Sequence, residues 1–204
     1  MAADTLVVVL CRPPASSESK TRLVADVGAA AARDAYERCL RHALRTAAAA
    51  TARVRVSVAG RPLELADLTA TCAPEAELVR QHDGPFARRQ AEEIRRGLAD
   101  GYRRVAFMAS DLPTVRPEEI DWTLSAPDGR VRIAPSQDGG YAILGTGVEL
   151  PELVSTPMSR GDTRQLLVTA VRHSGRRVDV APFEVANINH GPDLRYLTGI
   201  GGRA

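Results

Sequence analysis

The chain has 204 residues, of which 44% are hydrophobic and 25% charged, with a formal net charge of +2. That length and mix suit one globular domain with a sizeable core and argue against a disordered or low-complexity chain. Aromatics make up only 4%, too few for a stacking platform along single-stranded nucleic acid, and the near-balanced charge does not point to a polyanion partner.

Thr5 to Leu10 (TLVVVL) is a continuous β-branched run, the pattern of a strand buried on both faces. The segment before it lacks a basic region and is too short in apolar residues for an export signal, and no stretch approaches a membrane span. The expectation is a soluble cytoplasmic protein without membrane or nucleic-acid partners. Cys11, Cys39 and Cys72 are odd in number and form no CxxC pair, which fits a reducing compartment. Cys11 ends the first strand and reads as a small core hydrophobe rather than a nucleophile.

A Pro- and Ser-rich loop follows from Arg12 to Ser19, then a long Ala-rich helix from Ala29 to Ala50. Arg53 to Ala59 alternates as a second strand, Leu63 to Cys72 is a short helix, and Glu77 to Arg80 a short strand. Phe86 to Leu98 is helical, with Ile94 and Leu98 one turn apart. Arg104 to Ala109 is another central strand running into Ser110-Asp111-Leu112-Pro113, and Pro117 to Leu124 is a helix opened by proline. Val131 to Pro135 and Ala142 to Gly145 are strands separated by a Gly-rich turn. Asp162 to His173 is a helix, Arg177 to Val180 a strand, and Pro192 to Leu197 a last helical turn. Alternating strands and helices predict an α/β protein whose mainly parallel sheet is covered on both faces, with ligands bound beyond the carboxyl ends of the strands. No apolar surface stripe can be told from core in the sequence, which leaves the oligomeric state open.

Among 27 Lys and Arg residues the one lysine is Lys20, in the loop that follows the first strand. An ammonium there is a compact point charge suited to phosphate oxygens, although a lone surface lysine is the plain alternative. Asp111, at a strand end stiffened by Pro113, suits a divalent cation on phosphates or else caps the helix near Pro117. Asp138-Gly139-Gly140-Tyr141 offers an acceptor beside two permissive glycines, and is also a tight turn. His190 lies in a polar run, Asn187 to Asp193, that either faces a ligand or caps the last helix, while His42 and His173 read as surface residues. There is no P-loop, GxGxxG or GxSxG.

Taken in order, KTRL (Lys20–Leu23), SDLP (Ser110–Pro113), DGGY (Asp138–Tyr141) and PDL (Pro192–Leu194) resemble the DUF2064 family of transferase-like proteins, which is related to the guanylyltransferases of coenzyme F420 synthesis. The resemblance runs from Leu6 to about Leu197. It implies the Rossmann-like GT-A fold of nucleotide-diphospho-sugar transferases, a three-layer sandwich. It also implies a single nucleotide-binding domain over residues 1–204, with a loose tail at 199–204. By this resemblance Lys20, Arg22 and Asp111 are catalytic, and Arg12, Lys20, Thr21 and Arg22 hold phosphates. Asp138, Gly139, Gly140 and Tyr141 shape an acceptor or sugar pocket. Mg²⁺ or Mn²⁺ would sit on Asp111, with Asn189 and His190 as further ligands.

The implied activity is metal-dependent transfer of a nucleoside monophosphate from a triphosphate to a small phosphorylated or acidic acceptor. The alternatives are glycosyl transfer from a nucleotide sugar, or binding of a nucleotide or partner without catalysis. Two departures bear on this. Glu18 brings a negative charge beside the expected phosphates, where relatives have a glycine a few residues before the lysine. Asn187 and Asn189 replace the aspartates of an Asp-Val-Asp-Thr-Pro-type motif.

Overall fold

The computed structural model describes residues 4–127 and 129–200. Seven strands form one sheet: β1 (Thr5–Cys11), β2 (Arg53–Val58), β3 (Glu77–Arg80), β4 (Arg104–Ala109), β5 (Arg130–Pro135), β6 (Tyr141–Thr146) and β7 (Arg177–Val180), in the order β3-β2-β1-β4-β6-β5-β7. β1 pairs in parallel with β2 and β4, β2 with β3, and β5 with β7. Only β6 runs the other way, between β4 and β5. Reversing once on each side of β6 leaves β1, β4 and β5 pointing in the same direction.

The helices are α1 (Thr21–Val27), α2 (Ala29–Ala49), α3 (Ala66–Cys72), α4 (Phe86–Ala99), α5 (Pro117–Leu124), α6 (Glu152–Ser155) and α7 (Thr163–His173), with 3-10 turns at Pro62–Leu65 and Gly191–Gly199. The continuous apolar run of β1 is explained by the two layers it separates. Val7, Val9 and Cys11 pack with Leu40 and Leu44 of α2 and Ile120 of α5. Leu6, Val8 and Leu10 pack with Ile94 of α4 and Leu167 and Val171 of α7. Because side chains alternate along a strand, a central strand in a three-layer sandwich must be apolar at every position. No helix among the described residues is long and apolar enough to cross a membrane.

A third cluster places Leu23 of α1 against Ala32, Ala35 and Cys39 of α2, together with Ile188 and Leu197. This ties the segment after β1 to the C-terminal segment. Within the expected loose tail, Ile200 packs on this cluster and its carbonyl accepts a hydrogen bond from Arg38 at 2.9 Å. Residues 201–204 lie outside the described residues. His42, expected at the surface, is part-buried with Nε2 2.9 Å from the Val115 carbonyl.

Candidate active site

The loops after β1, β3, β4 and β5 open at one end of the sheet and enclose a cavity of about 460 Å³. Lys20, Asp111 and Asp138 all line it, with Arg12, Thr21, Arg22, Gly140 and Tyr141. Thr21 and Arg22 are not in a loop, however. They form the first turn of α1, whose single buried side chain, Leu23, gave too weak a periodic signal to read as a helix.

Lys20 precedes α1 with φ 54°, in the left-handed region that disfavours side chains with a Cβ. Its ammonium donates to Asp111 Oδ2 and to the Ile188 carbonyl, and lies 3.4 Å from Asn189 Oδ1. The Lys20 and Asp111 side chains are only 11% and 17% exposed, so this ion pair sits largely out of water. Asp111 does not cap α5; Arg116 stands at that position.

The Asp138 carboxylate is enclosed by donors. Oδ1 accepts from Ser136 Oγ at 2.6 Å and the Gly140 amide at 3.1 Å, while Oδ2 accepts from Asn187 at 2.7 Å and Asn189 at 3.0 Å. Burial works to raise its pKa, but these hydrogen bonds and the nearby Arg22 charge outweigh it and hold the group below the usual aspartate value. Gly139 does not face the cavity. Its φ is +83°, and a Cβ there would lie 1.9 Å from the Gly161 carbonyl oxygen. The close approach made possible by this glycine is to the protein's own backbone, which returns a hydrogen bond from the Arg164 amide to the Gly139 carbonyl at 3.1 Å.

His190 is not with Asp111 either. It begins the Gly191–Gly199 turn, and its Nδ1 lies 3.2 Å from Asp26 Oδ2, away from the cavity lining. Among the described residues no three His, Cys, Asp or Glu side chains are grouped to hold a metal.

Sequence reasoning missed the wall formed by β3, α4 and the 158–163 loop. Arg89 of α4 faces the cavity, its Nη1 2.7 Å from Gln81 Oε1 and its guanidinium over the Phe86 ring at 5.3 Å. It has no carboxylate partner among the described residues, and burial together with the Arg12 charge lowers its pKa. By contrast Arg12 pairs with Glu18 at 2.5 Å and Arg160 with Asp162 at 2.9 Å. The buried Gln90 accepts the Tyr141 hydroxyl at 2.8 Å. Arg89 and Gln90 lie near the start of α4, where the pair Arg88-Arg89 makes a basic helix start, the signal the sequence offered.

The cavity has many cations but few groups that could remove a proton. Asp111 is ion-paired with Lys20, the more exposed Glu18 is paired with Arg12, and Asp138 is saturated by donors. Burial pushes the Cys11 thiol up to about 12 and raises the phenols of Tyr36 and Tyr141. No histidine lines the cavity.

This sheet order, with its sandwich of helices and a ligand-sized cavity at the strand ends, is that of the nucleotide-diphospho-sugar transferase fold. The chain is similar to a structure described as a candidate nucleotide-diphospho-sugar transferase from Desulfovibrio desulfuricans G20, with TM-score 0.83 and 22% identity over 97% of this chain and 87% of that one. It is also similar to the inositol-1-phosphate CTP transferase of T. maritima, with TM-score 0.54 and 14% identity over 100% and 99% of the two chains. The 4-diphosphocytidyl-2C-methyl-D-erythritol synthase of Anaerococcus prevotii DSM 20548 gives TM-score 0.55 and 11% identity over 95% and 97%. No curated protein sequence matches the chain. The chain belongs to the family described as "Uncharacterized protein conserved in bacteria (DUF2064)", whose model matches residues 32–159. Asp111 and Asp138 to Tyr141 fall inside that match; Lys20 and Asn187 to Asp193 fall outside it.

Proposed function

We propose that this protein is a nucleotide-dependent transferase that moves a nucleoside monophosphate from a nucleoside triphosphate to a small phosphorylated or acidic acceptor. The observation that carries the proposal is a cavity rich in cations and poor in general bases. An acceptor hydroxyl would need a base within hydrogen-bond reach. A phosphate or carboxylate oxygen is already ionised near neutral pH and needs none. The 460 Å³ volume also falls in the range of about 300–1,000 Å³ usual for small-molecule sites.

In this reaction the acceptor oxygen attacks the α-phosphorus and forms a new O–P bond. The bond from that phosphorus to its bridging oxygen breaks, and pyrophosphate leaves with the electron pair. Lys20 and Arg22 are positioned by α1 to offset charge on the phosphates, and Arg89 and Arg12 to hold anionic groups at the other wall. Tyr36 steadies the start of the first loop: its hydroxyl accepts the Arg12 amide at 3.1 Å and lies 2.9 Å from Ser110 Oγ.

A second reading, glycosyl transfer from a nucleotide sugar, is favoured by the description of the Desulfovibrio structure. One assay separates the two. The purified protein is given the four nucleoside triphosphates with a panel of sugar phosphates and hydroxy acids, or nucleotide sugars with sugar acceptors. Pyrophosphate release that depends on the acceptor supports nucleotidyl transfer. Nucleoside diphosphate release from a nucleotide sugar refutes it in favour of glycosyl transfer. Tight binding without either product points to a protein that binds nucleotide without catalysis.

A further inference from the structure

We propose that the Lys20 ammonium is itself the resident cation of this site, and that the chain binds its anionic ligand without holding a divalent metal. The inference rests on the ligand class proposed above, and its test includes an arm that needs no nucleotide.

A hard divalent cation needs several oxygens with free lone pairs, carboxylates above all. Apart from Asp111 Oδ1, which is a single oxygen, the oxygens that Asp111, Ile188 and Asn189 turn to this site are already committed. Asp111 Oδ2, the Ile188 carbonyl and Asn189 Oδ1 surround the Lys20 ammonium, three acceptors for a group with three N–H donors. The ammonium therefore stands among oxygens of the β4 loop and the C-terminal loop, where a metal bound to Asp111 would have to sit.

Asp138 offers no alternative. A carboxylate has about four lone-pair sites, and Asp138 receives donors from Ser136, Gly140, Asn187 and Asn189. Both asparagines present their NH₂ ends to Oδ2, so a cation entering there would first have to turn both amides around. These two residues serve as donors to a carboxylate rather than as metal ligands. His190 is engaged with Asp26.

Charge balance leads to the same conclusion. Lys20 and Arg22 match Asp111 and Asp138, so a dication would join a set that is already neutral. Aspartates at 187 and 189 would have attracted it; the amides do not. The backbone adds an independent sign. Lys20 adopts a left-handed conformation that disfavours a side chain with a Cβ. Such strain persists where the surrounding contacts fix a residue in place for use.

The test has two arms. In the first, binding of inorganic tripolyphosphate and of each nucleoside triphosphate is measured by calorimetry in excess EDTA and in excess MgCl₂. Dissociation constants that agree within about threefold support the proposal, and binding that vanishes in EDTA overturns it. If no probe binds under either condition, the nucleotide reading fails, while the cation proposal is still decided by the second arm.

That arm follows Mn²⁺ binding to the protein alone by electron paramagnetic resonance. The expectation is no binding tighter than millimolar for the native chain, with a gain of at least about tenfold for the Asn187→Asp/Asn189→Asp variant, since added ligand charge strengthens such sites. Micromolar Mn²⁺ binding by the native chain overturns the proposal. So does a folded double variant, checked by circular dichroism, that gains nothing. Should the variant not fold, the native chain's Mn²⁺ result decides.

Discussion

Replacing Gly139 with alanine tests whether the turn after β5 really packs onto the backbone that frames the cavity. The new Cβ would lie 1.9 Å from the Gly161 carbonyl oxygen, so the 157–163 segment must retreat by at least about 1 Å. The left-handed φ of +83° costs an alanine roughly 1–2 kcal/mol. Loss of the 3.1 Å Arg164–Gly139 hydrogen bond adds about 1 kcal/mol. A total near 3 kcal/mol predicts a fall in Tm of about 6–12 °C for a chain of this size. Gly175→Ala is the control, since Gly175 has a similar φ of +81° but nothing within 4 Å of a Cβ. It should cost only the conformational part, roughly 1–2 kcal/mol. Thermal unfolding of both variants by circular dichroism or calorimetry measures the difference. Equal losses in the two variants would show that the Gly161 contact is not made and would refute the packing argument. Because Ser159, Arg160, Gly161 and Thr163 line the cavity, Gly139→Ala should also weaken ligand binding, whereas Gly175→Ala should not.

Arg89→Ala should reduce affinity for tripolyphosphate or the best nucleoside triphosphate about 10- to 100-fold, the worth of a charge-assisted hydrogen bond. Its Tm should fall by only about 2–4 °C, because the substitution costs about 1 kcal/mol for the lost hydrogen bond to Gln81 Oε1 but breaks no ion pair with a carboxylate. Calorimetry and a melting curve read both, and unchanged affinity would remove Arg89 from the site. Glu93→Gln should change the pH dependence of stability. Glu93 is fully buried, with Ser57 Oγ 2.6 Å from Oε1 and no partner for Oε2, and burial raises its pKa despite the Ser57 bond. A carboxyl raised in the folded state contributes its full stability below the ordinary glutamate value, and that contribution is lost as pH rises through the folded value. The variant should therefore melt higher than the native protein at pH 8, with the gap closing toward pH 4. A gap that is flat or reversed would contradict the sign.

The sheet was legible in the sequence because its central strands are buried on both faces. Beyond Thr5 and Arg104 at their starts, TLVVVL and RVAFMA have no polar position to blur the pattern, and β3, β4, α5 and β7 begin and end where the residues suggested. The antiparallel course of β6 was not legible, since a short apolar strand looks the same in either direction. α1 and α6 were missed for a different reason. Each buries only one side chain, Leu23 or Leu153, and periodicity needs more than one point. In the site, Lys20, Asp111 and Asp138 could be picked out because each follows a strand. What the sequence did not reveal was how far each is already satisfied by neighbours such as Ile188, Asn187 and Asn189, which are remote in the chain. His190 and Gly139 were assigned to the ligand by family resemblance, and three-dimensional contacts gave them to Asp26 and Gly161 instead.

The lysine's grip on the Ile188 carbonyl spans 168 positions of the chain. Such a contact can form only after the chain through Ile188 has left the ribosome, whereas β1, β2 and β4 can pair well before then. A nascent or truncated chain ending before Ile188 would thus carry the apolar framework but lack the clasp that orders its first loop. Binding of the proposed ligand would therefore wait on synthesis through Ile188.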